Sequence, residues 1–151
     1  MELREFQKVE GLNESSEQIL CIRTHCSNHI CITAAAEYDY KNAVSAIDFK
    51  LYKLENSGDI SQACIGRSFC EINGSVFCIA DIGIEEQYRN NGYGSLLLSE
   101  IIKYAEQLNV TKIKGRVYCN DIKEKEAKVR LYHFYEEHGF VIDEGRLTLC
   151  L

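Results

Sequence analysis

The sequence predicts one α/β domain of the α+β type, built on a mixed, mostly antiparallel central sheet with flanking helices. Three observations predict it. Between His29 and Ile84, four segments rich in β-branched, aromatic and cysteine residues follow one another with only turn-like punctuation between them. At Tyr93 the apolar repeat changes from two residues to the helical 3.6. The stretch from Val76 to Tyr118 then reads strand, helix, strand, with the length of a crossover that leaves its two strands parallel.

The elements follow in order. Ser15 with Gln18 three residues on resembles a capping box and predicts a short helix from about Ser16 to His25. HICITAAAEY, AIDFKLYKL, QACIGRSFCEI and SVFCIADIGI are the strand segments, parted by YKN, ENSGD and Asn73-Gly74-Ser75. The last of these is a hairpin signal, so three or four neighbouring antiparallel strands lead up to Ile84. From Tyr93 to Leu108, Ser95, Ser99, Lys103 and Gln107 share one narrow polar stripe. Leu96, Leu97, Ile101, Ile102, Ala105 and Leu108 cover most of the rest, which predicts a mostly buried helix ended by a left-handed Asn109. Ile113, Gly115, Val117 and Cys119 then alternate with polar neighbours as in a strand. A second helix is expected from about Lys123 to His138, with Ala127, Leu131, Phe134 and His138 on one side and Gly139 as its stop. FVIDEGRLTLCL closes the chain as two short strands around Glu144 and Gly145.

Composition narrows the function. A chain of 151 residues with 46% hydrophobic content supports one domain with a full core. The net charge is −6, from 17 Lys plus Arg against 23 Asp plus Glu, and the basic clusters are short, as at Lys112, Lys114 and Arg116. That argues against a nucleic-acid partner, and an acidic surface favours cationic partners such as amines. No apolar run approaches the roughly 20 residues of a membrane span, and MELREFQKVEG lacks the regions of a signal peptide, so a soluble, cytoplasmic protein without a membrane partner is expected. Cys21, Cys26 and Cys31 surround His25 and His29, but no CxxC pair occurs anywhere. The eight cysteines therefore read as free thiols, and no metal is expected.

The stretch RNNGYGSLLLSEIIKYAEQLN places two glycines directly before the most hydrophobic helix. Glycine lets backbone N–H groups approach a ligand closely, and a helix start leaves several such donors unpaired, so an anion fits there. Within it, YRNNGYGSLL resembles the acetyl-coenzyme A signature R/Q-x-x-G-x-G/A of the GNAT acetyltransferase superfamily. FYEEHGF, from Phe134 to Phe140, resembles that family's second landmark, an aromatic or aliphatic residue, Tyr, three variable residues and Gly-Phe. The resemblance runs from roughly Ala46 to Leu151 and leaves residues 1–45 as an atypical N-terminal segment.

The resemblance implies a single acetyl-CoA-binding acetyltransferase domain over residues 1–151, with a splayed parallel strand pair and acetyl-CoA as co-substrate. Its pyrophosphate would lie on the N–H groups of Asn90, Asn91, Gly92, Tyr93, Gly94 and Ser95, at the positive end of the buried helix. Arg89 would add a positive charge there, or else pair with Glu85 or Glu86. Ile82, Gly83 and Ile84 would pair with the pantetheine arm, and an N–H near Ile84 would polarise the thioester carbonyl. Tyr135 stands at the position of the proton donor, with Tyr132 its competitor. Asp81 is the nearest carboxylate on its strand to act as base, and Glu71 lies on the hairpin partner. Members with the N-x-x-A-x-x-L-Y pattern carry Asn seven residues before the Tyr, where this sequence has Lys128, with Leu131 in place of Ala. The resemblance then offers Asn120, after a longer connection, as the alternative cofactor-side asparagine, and the role itself is left unassigned. The implied activity is transfer of acetyl to the primary amine of a small molecule or peptide, by direct attack in a ternary complex, in a family that often forms homodimers. A non-catalytic CoA-binding regulatory domain of the same fold is the alternative. A third reading, a nucleotide-phosphate binder using the same glycine loop, is weaker because GxxxxGK[ST] is absent.

Overall fold

The computed structural model describes residues 18–26, 29–40, 43–53, 64–117 and 125–151. Its elements are β1 (Gln18–Cys26), β2 (His29–Tyr40), β3 (Ala43–Lys53), β4 (Gly66–Asn73), β5 (Val76–Ile84), a single 3₁₀ turn (Glu86–Tyr88), α1 (Tyr93–Glu106), β6 (Lys112–Arg116), α2 (Lys125–Glu137), β7 (Val141–Asp143) and β8 (Arg146–Cys150). Among the described residues, eight strands form one sheet in the order β1-β2-β3-β4-β5-β6-β8-β7. Neighbours are antiparallel except β5 and β6, which the crossover through α1 makes parallel. This is the mixed, mostly antiparallel sheet that the sequence predicts.

Local chemistry sets the turns. Gly74, at φ 61, takes the tight corner between Asn73 and Val76, and Glu144 and Gly145, at φ 49 and 77, make the two-residue corner between β7 and β8. α2 stops at Gly139, at φ 89. The Gly139 N–H donates to the Glu136 carbonyl at 3.0 Å and the Phe140 N–H to the Tyr135 carbonyl at 3.1 Å, while the Tyr135 and Phe140 rings meet edge to face.

The core lies between α1 and one face of the sheet. Phe49, Leu51, Cys70, Phe77, Leu97, Leu98, Ile101 and Ile113 are buried in it, and the Tyr104 ring stands edge-on to Phe49 with centroids 5.4 Å apart. On that face β4 presents Gly66, Ser68 and Cys70, and the opposite face of β4 carries the exposed Arg67, Phe69 and Glu71.

Several expectations need correction. Gln18–Cys26 is a strand, not the start of a helix, because nine residues of it ladder with β2 from Gln18↔Glu37 to Cys26↔His29. Long-range pairing outweighs a local capping signal here. Five antiparallel strands, rather than three or four, therefore precede α1. Asn109 does not take up the left-handed conformation. α1 instead closes with tighter bonds, the Gln107 N–H to the Tyr104 carbonyl and the Leu108 N–H to the Ala105 carbonyl, which satisfy its last carbonyls without a left-handed residue. Ala127 is exposed; the buried residue of α2 is Tyr135.

Cys31, at 0% exposure, lies in the hydrophobic core as a small apolar side chain would. The side chains of Cys21, His25, Cys26 and His29 lie outside the described residues, among which no group of three or more potential ligands could hold a metal. Elemental analysis of protein purified without added metal is expected to find well under one zinc per chain. A stoichiometric metal whose chelation unfolds the protein would refute this.

Candidate active site

The sheet opens at its parallel pair. β5 and β6 are in register only from Val76↔Lys112 to Ile79↔Gly115, and β5 then continues to Ile84 without β6 beside it. The cause sits at the next residue. On the other side of β5, Phe69 faces Asp81 and Cys70 faces Ile79, so Ala80 is an extra residue, a β-bulge. Bulges bend a strand and raise its twist, which carries β5 away from β6. The opening holds a cavity of about 250 Å³ lined by Ile79 to Ile82, Arg116, Val117, Leu131, Tyr135 and Leu147.

The cavity brings the two expected catalytic residues together. Tyr135 reaches it from α2, 5% exposed, its ring flanked by Phe134 at 5.2 Å and Phe140 at 5.4 Å. Burial, chiefly, pushes its phenol up to about 12, with smaller contributions from Cys70 and Asp81. Asp81 lies directly across from the exposed Phe69 and is itself exposed, so it borders the cavity from the open face. Glu71 lies further along that face, opposite Cys78 and outside the cavity wall. Tyr132 also stays out of the cavity, with the Lys128 ammonium 5.5 Å from its ring centre.

Beyond the bulge, the antiparallel ladder fixes which way the β5 backbone points. The Glu85 N–H donates to the Ile65 carbonyl at 2.9 Å, and alternation from that pair turns the N–H and C=O groups of Ile84 and Ile82 away from β4, into the opening. Arg89 Nε confirms the direction by donating to the Ile84 carbonyl at 2.9 Å. Arg89 makes this bond instead of an ion pair with Glu85 or Glu86. Gly83 has nothing within 4 Å of the place a Cβ would take, so the strand end is open on that side as well.

At the far end of the opening the glycine loop leads into α1. Asn90, at φ 64, and Gly92, at φ 83, are both left-handed, and the Asn91 side chain ties the loop by donating to the carbonyls of Tyr88 at 3.2 Å and Arg89 at 3.0 Å. Gly92 caps the helix without any side-chain hydrogen bond, and the first turn holds no acidic residue. The helix ladder begins with the Leu96 N–H on the Gly92 carbonyl, so the N–H groups of Gly94 and Ser95 lie in the first turn of a 14-residue helix, ahead of that bond. The donor set suits an anion. The Tyr93 side chain is buried and meets Tyr88 edge to face, so Tyr93 offers a ligand its backbone alone. Asn120 falls outside the described residues.

A Cβ at Gly94 would meet Ile84 Cγ1 and two atoms of the Phe134 ring at 3.7 Å, which is ordinary contact. The fold therefore has no need of glycine at this helical position. Gly94→Ala is expected to stabilise the ligand-free protein by about 0.5–1 kcal/mol, read as a rise of a few degrees in melting temperature. A fall would show that the glycine serves packing.

Sequence reading missed Ser68, whose buried hydroxyl bonds the Asp81 carbonyl, and Glu100, a carboxylate on α1 that is only 2% exposed and lies 3.6 Å from Lys103 Nζ. Arg116, Val117 and Leu147 of the cavity wall were also not foreseen as site residues.

Comparison with known proteins gives a consistent picture. Residues 48–142 match the family model described as an acetyltransferase (GNAT) domain. Solved structures of similar fold include the spermidine N-acetyltransferase of Vibrio cholerae in complex with CoA and spermine, with 19% identity, a TM-score of 0.55 and 70% of this chain and 66% of that one covered. The ribosomal-protein-S18-alanine N-acetyltransferase of Escherichia coli is 14% identical, with a TM-score of 0.53 over 77% of this chain and 80% of that one. An acetyltransferase of the GNAT family from Staphylococcus aureus is 16% identical, with a TM-score of 0.52 over 70% and 68%. No curated protein matches the sequence. Among the described residues no helix is long and apolar enough to cross a membrane.

Proposed function

The chain belongs to the GNAT acetyltransferase family, and from that premise we propose that it is an N-acetyltransferase, passing acetyl from acetyl-CoA to a primary amine by direct attack in a ternary complex. One observation carries this reading: the opening between β5 and β6, whose cavity has Asp81 at one mouth and Tyr135 in its wall. The pyrophosphate sits on the N–H groups from Asn90 to Ser95, with the remaining nitrogens of Arg89 near it. The pantetheine arm pairs with Ile82 to Ile84 as an added strand would, because those groups already face the opening. An N–H of this strand end polarises the acyl carbonyl. Asp81 receives the proton of the attacking amine from the open face, and Tyr135 donates to the sulfur as it leaves.

Acetyl-CoA is expected to raise the melting temperature, since a ligand that binds only the folded state stabilises it by about 2.7 kcal/mol at a hundred times its Kd. No shift at millimolar acetyl-CoA would count against the assignment of this site. Thiol release is then followed against polyamines, aminoglycosides, amino acids and peptide N-termini. The spermine complex and the alanine acetyltransferase among the similar folds make polyamines and peptide N-termini the first to test. A shift without thiol release on any amine would favour a CoA-binding domain that does no chemistry.

A further inference from the structure

Ser68 is 0% exposed, and its hydroxyl donates a 2.6 Å hydrogen bond to the Asp81 carbonyl on the neighbouring strand. A buried hydroxyl costs about 1–3 kcal/mol unless it is partnered, and its inward-facing neighbours along β4 are Gly66 and Cys70. Packing alone gives no reason for serine here. Its partner gives one. The Asp81 carbonyl lies at the bulge, where the extra Ala80 breaks the ladder and leaves the local peptide planes free to tilt. A second donor on that carbonyl fixes the plane that joins Asp81 to Ile82. In a trans peptide the C=O and the following N–H point in opposite directions, and no peptide bond among the described residues is cis. Holding the carbonyl toward β4 therefore aims the Ile82 N–H into the opening, and Ile82 lines the same cavity as Tyr135. Cys70 Sγ lies 3.5 Å from Ser68 Oγ, and burial pushes this thiol up to about 12, so the hydroxyl keeps a neutral neighbour.

We infer that Ser68 is a positioning residue for acyl transfer: through the Asp81 carbonyl it sets the Ile82 N–H as the donor that polarises the acyl carbonyl of the bound thioester. The inference rests on the acetyltransferase reading above. It selects Ile82 over Ile84, since Ile84 does not line the cavity.

The test compares amide spectra of ¹⁵N-labelled protein saturated with CoA and with acetyl-CoA, because only the second carries the acyl carbonyl. In the parent, the Ile82 resonance is expected to differ between the two ligands. In Ser68→Ala that difference should collapse, while the CoA-induced shifts of Gly92 and Gly94 persist; Ser68→Thr, which keeps the hydroxyl, should retain it. With an accepted amine, Ser68→Ala should lower kcat roughly tenfold, less than full loss of an oxyanion donor, with KM for acetyl-CoA within about twofold. An Ile82 resonance that is identical with both ligands in the parent, or a difference that survives in Ser68→Ala, would overturn the inference. If Ser68→Ala does not fold, near-isosteric Ser68→Cys replaces it, and an undiminished difference there counts equally against. Gly92 and Gly94 unmoved by either ligand in the parent would sink the acetyltransferase reading itself.

Discussion

Tyr135→Phe is expected to lower turnover by roughly ten- to a thousand-fold, in the range of general-acid effects, with acetyl-CoA affinity nearly unchanged. Phenylalanine keeps the ring contacts with Phe134 and Phe140, so the fold should survive and the loss should fall on the chemistry. Burial sets how the phenol works. With its pKa raised to about 12 it stays protonated at any physiological pH, but it is a weaker acid than a free tyrosine. In the proposed role of proton donor it would therefore contribute most late in the reaction, when negative charge has collected on sulfur. Tyr132→Phe should do far less, because Tyr132 does not line the cavity. Full turnover in Tyr135→Phe would remove Tyr135 from the mechanism.

The same phenol ties stability to alkaline pH. Its folded pKa lies above its unfolded value of 10.0, so the folded state holds the proton after the unfolded chain has lost it. Stability from this group is complete below pH 10 and declines as pH rises toward 12. Cys70, raised from 9.0 to about 12 chiefly by burial, acts in the same direction and starts earlier. Alkaline unfolding curves should therefore move to higher pH in Tyr135→Phe.

Gly92→Val is the second large effect. Gly92 sits at φ 83 and ψ 2, a left-handed conformation that a β-branched residue resists, so the protein should lose about 1–3 kcal/mol of stability. The cofactor should suffer more. Two charge-assisted N–H bonds to a phosphate are worth about 3 kcal/mol or more together, enough to weaken binding over a hundredfold and abolish the CoA-induced thermal shift. Gly92→Asn separates the two effects, because asparagine tolerates the left-handed region, as Asn90 at φ 64 does one turn of loop earlier. This variant should hold most of the stability and still bind CoA poorly. If Gly92→Val binds as well as the parent, the loop is only a turn.

Features governed by nearby chemistry were legible in the sequence. The Gly74 corner, the Glu144-Gly145 turn, the Gly139 stop and the period of α1 all depend on a handful of adjacent residues, and all stand where the residues predict. β1 was not legible, because its conformation is decided by β2, and Ser15 with Gln18 offers only a local signal. Ser68 was illegible for a related reason: its partner lies thirteen residues along the chain, and only register reveals it. The bulge did leave a trace. Inward-facing apolar residues fall at Phe77, Ile79, Ile82 and Ile84, so a period of two slips by one residue between Ile79 and Ile82. A strand cannot keep one face toward the core across such a slip without an extra residue. Glu100 was missed because helical periodicity does not show that a charged residue faces inward.

The parting of β5 from β6 gives this sheet a boundary where sheets usually have none. Beyond Ile79 no described strand lies on the β6 side of β5, so the Ile82 N–H and C=O and the Ile84 N–H face an opening in the middle of the sheet, the condition normally met only at an outer strand. Outer strands invite pairing with any extended chain. The ligand-free protein is thus open, at its centre, to peptides and to unfolded copies of itself. On the function proposed above, the pantetheine arm would close that boundary as a further strand does, and acetyl-CoA would then shield the protein from self-association as well.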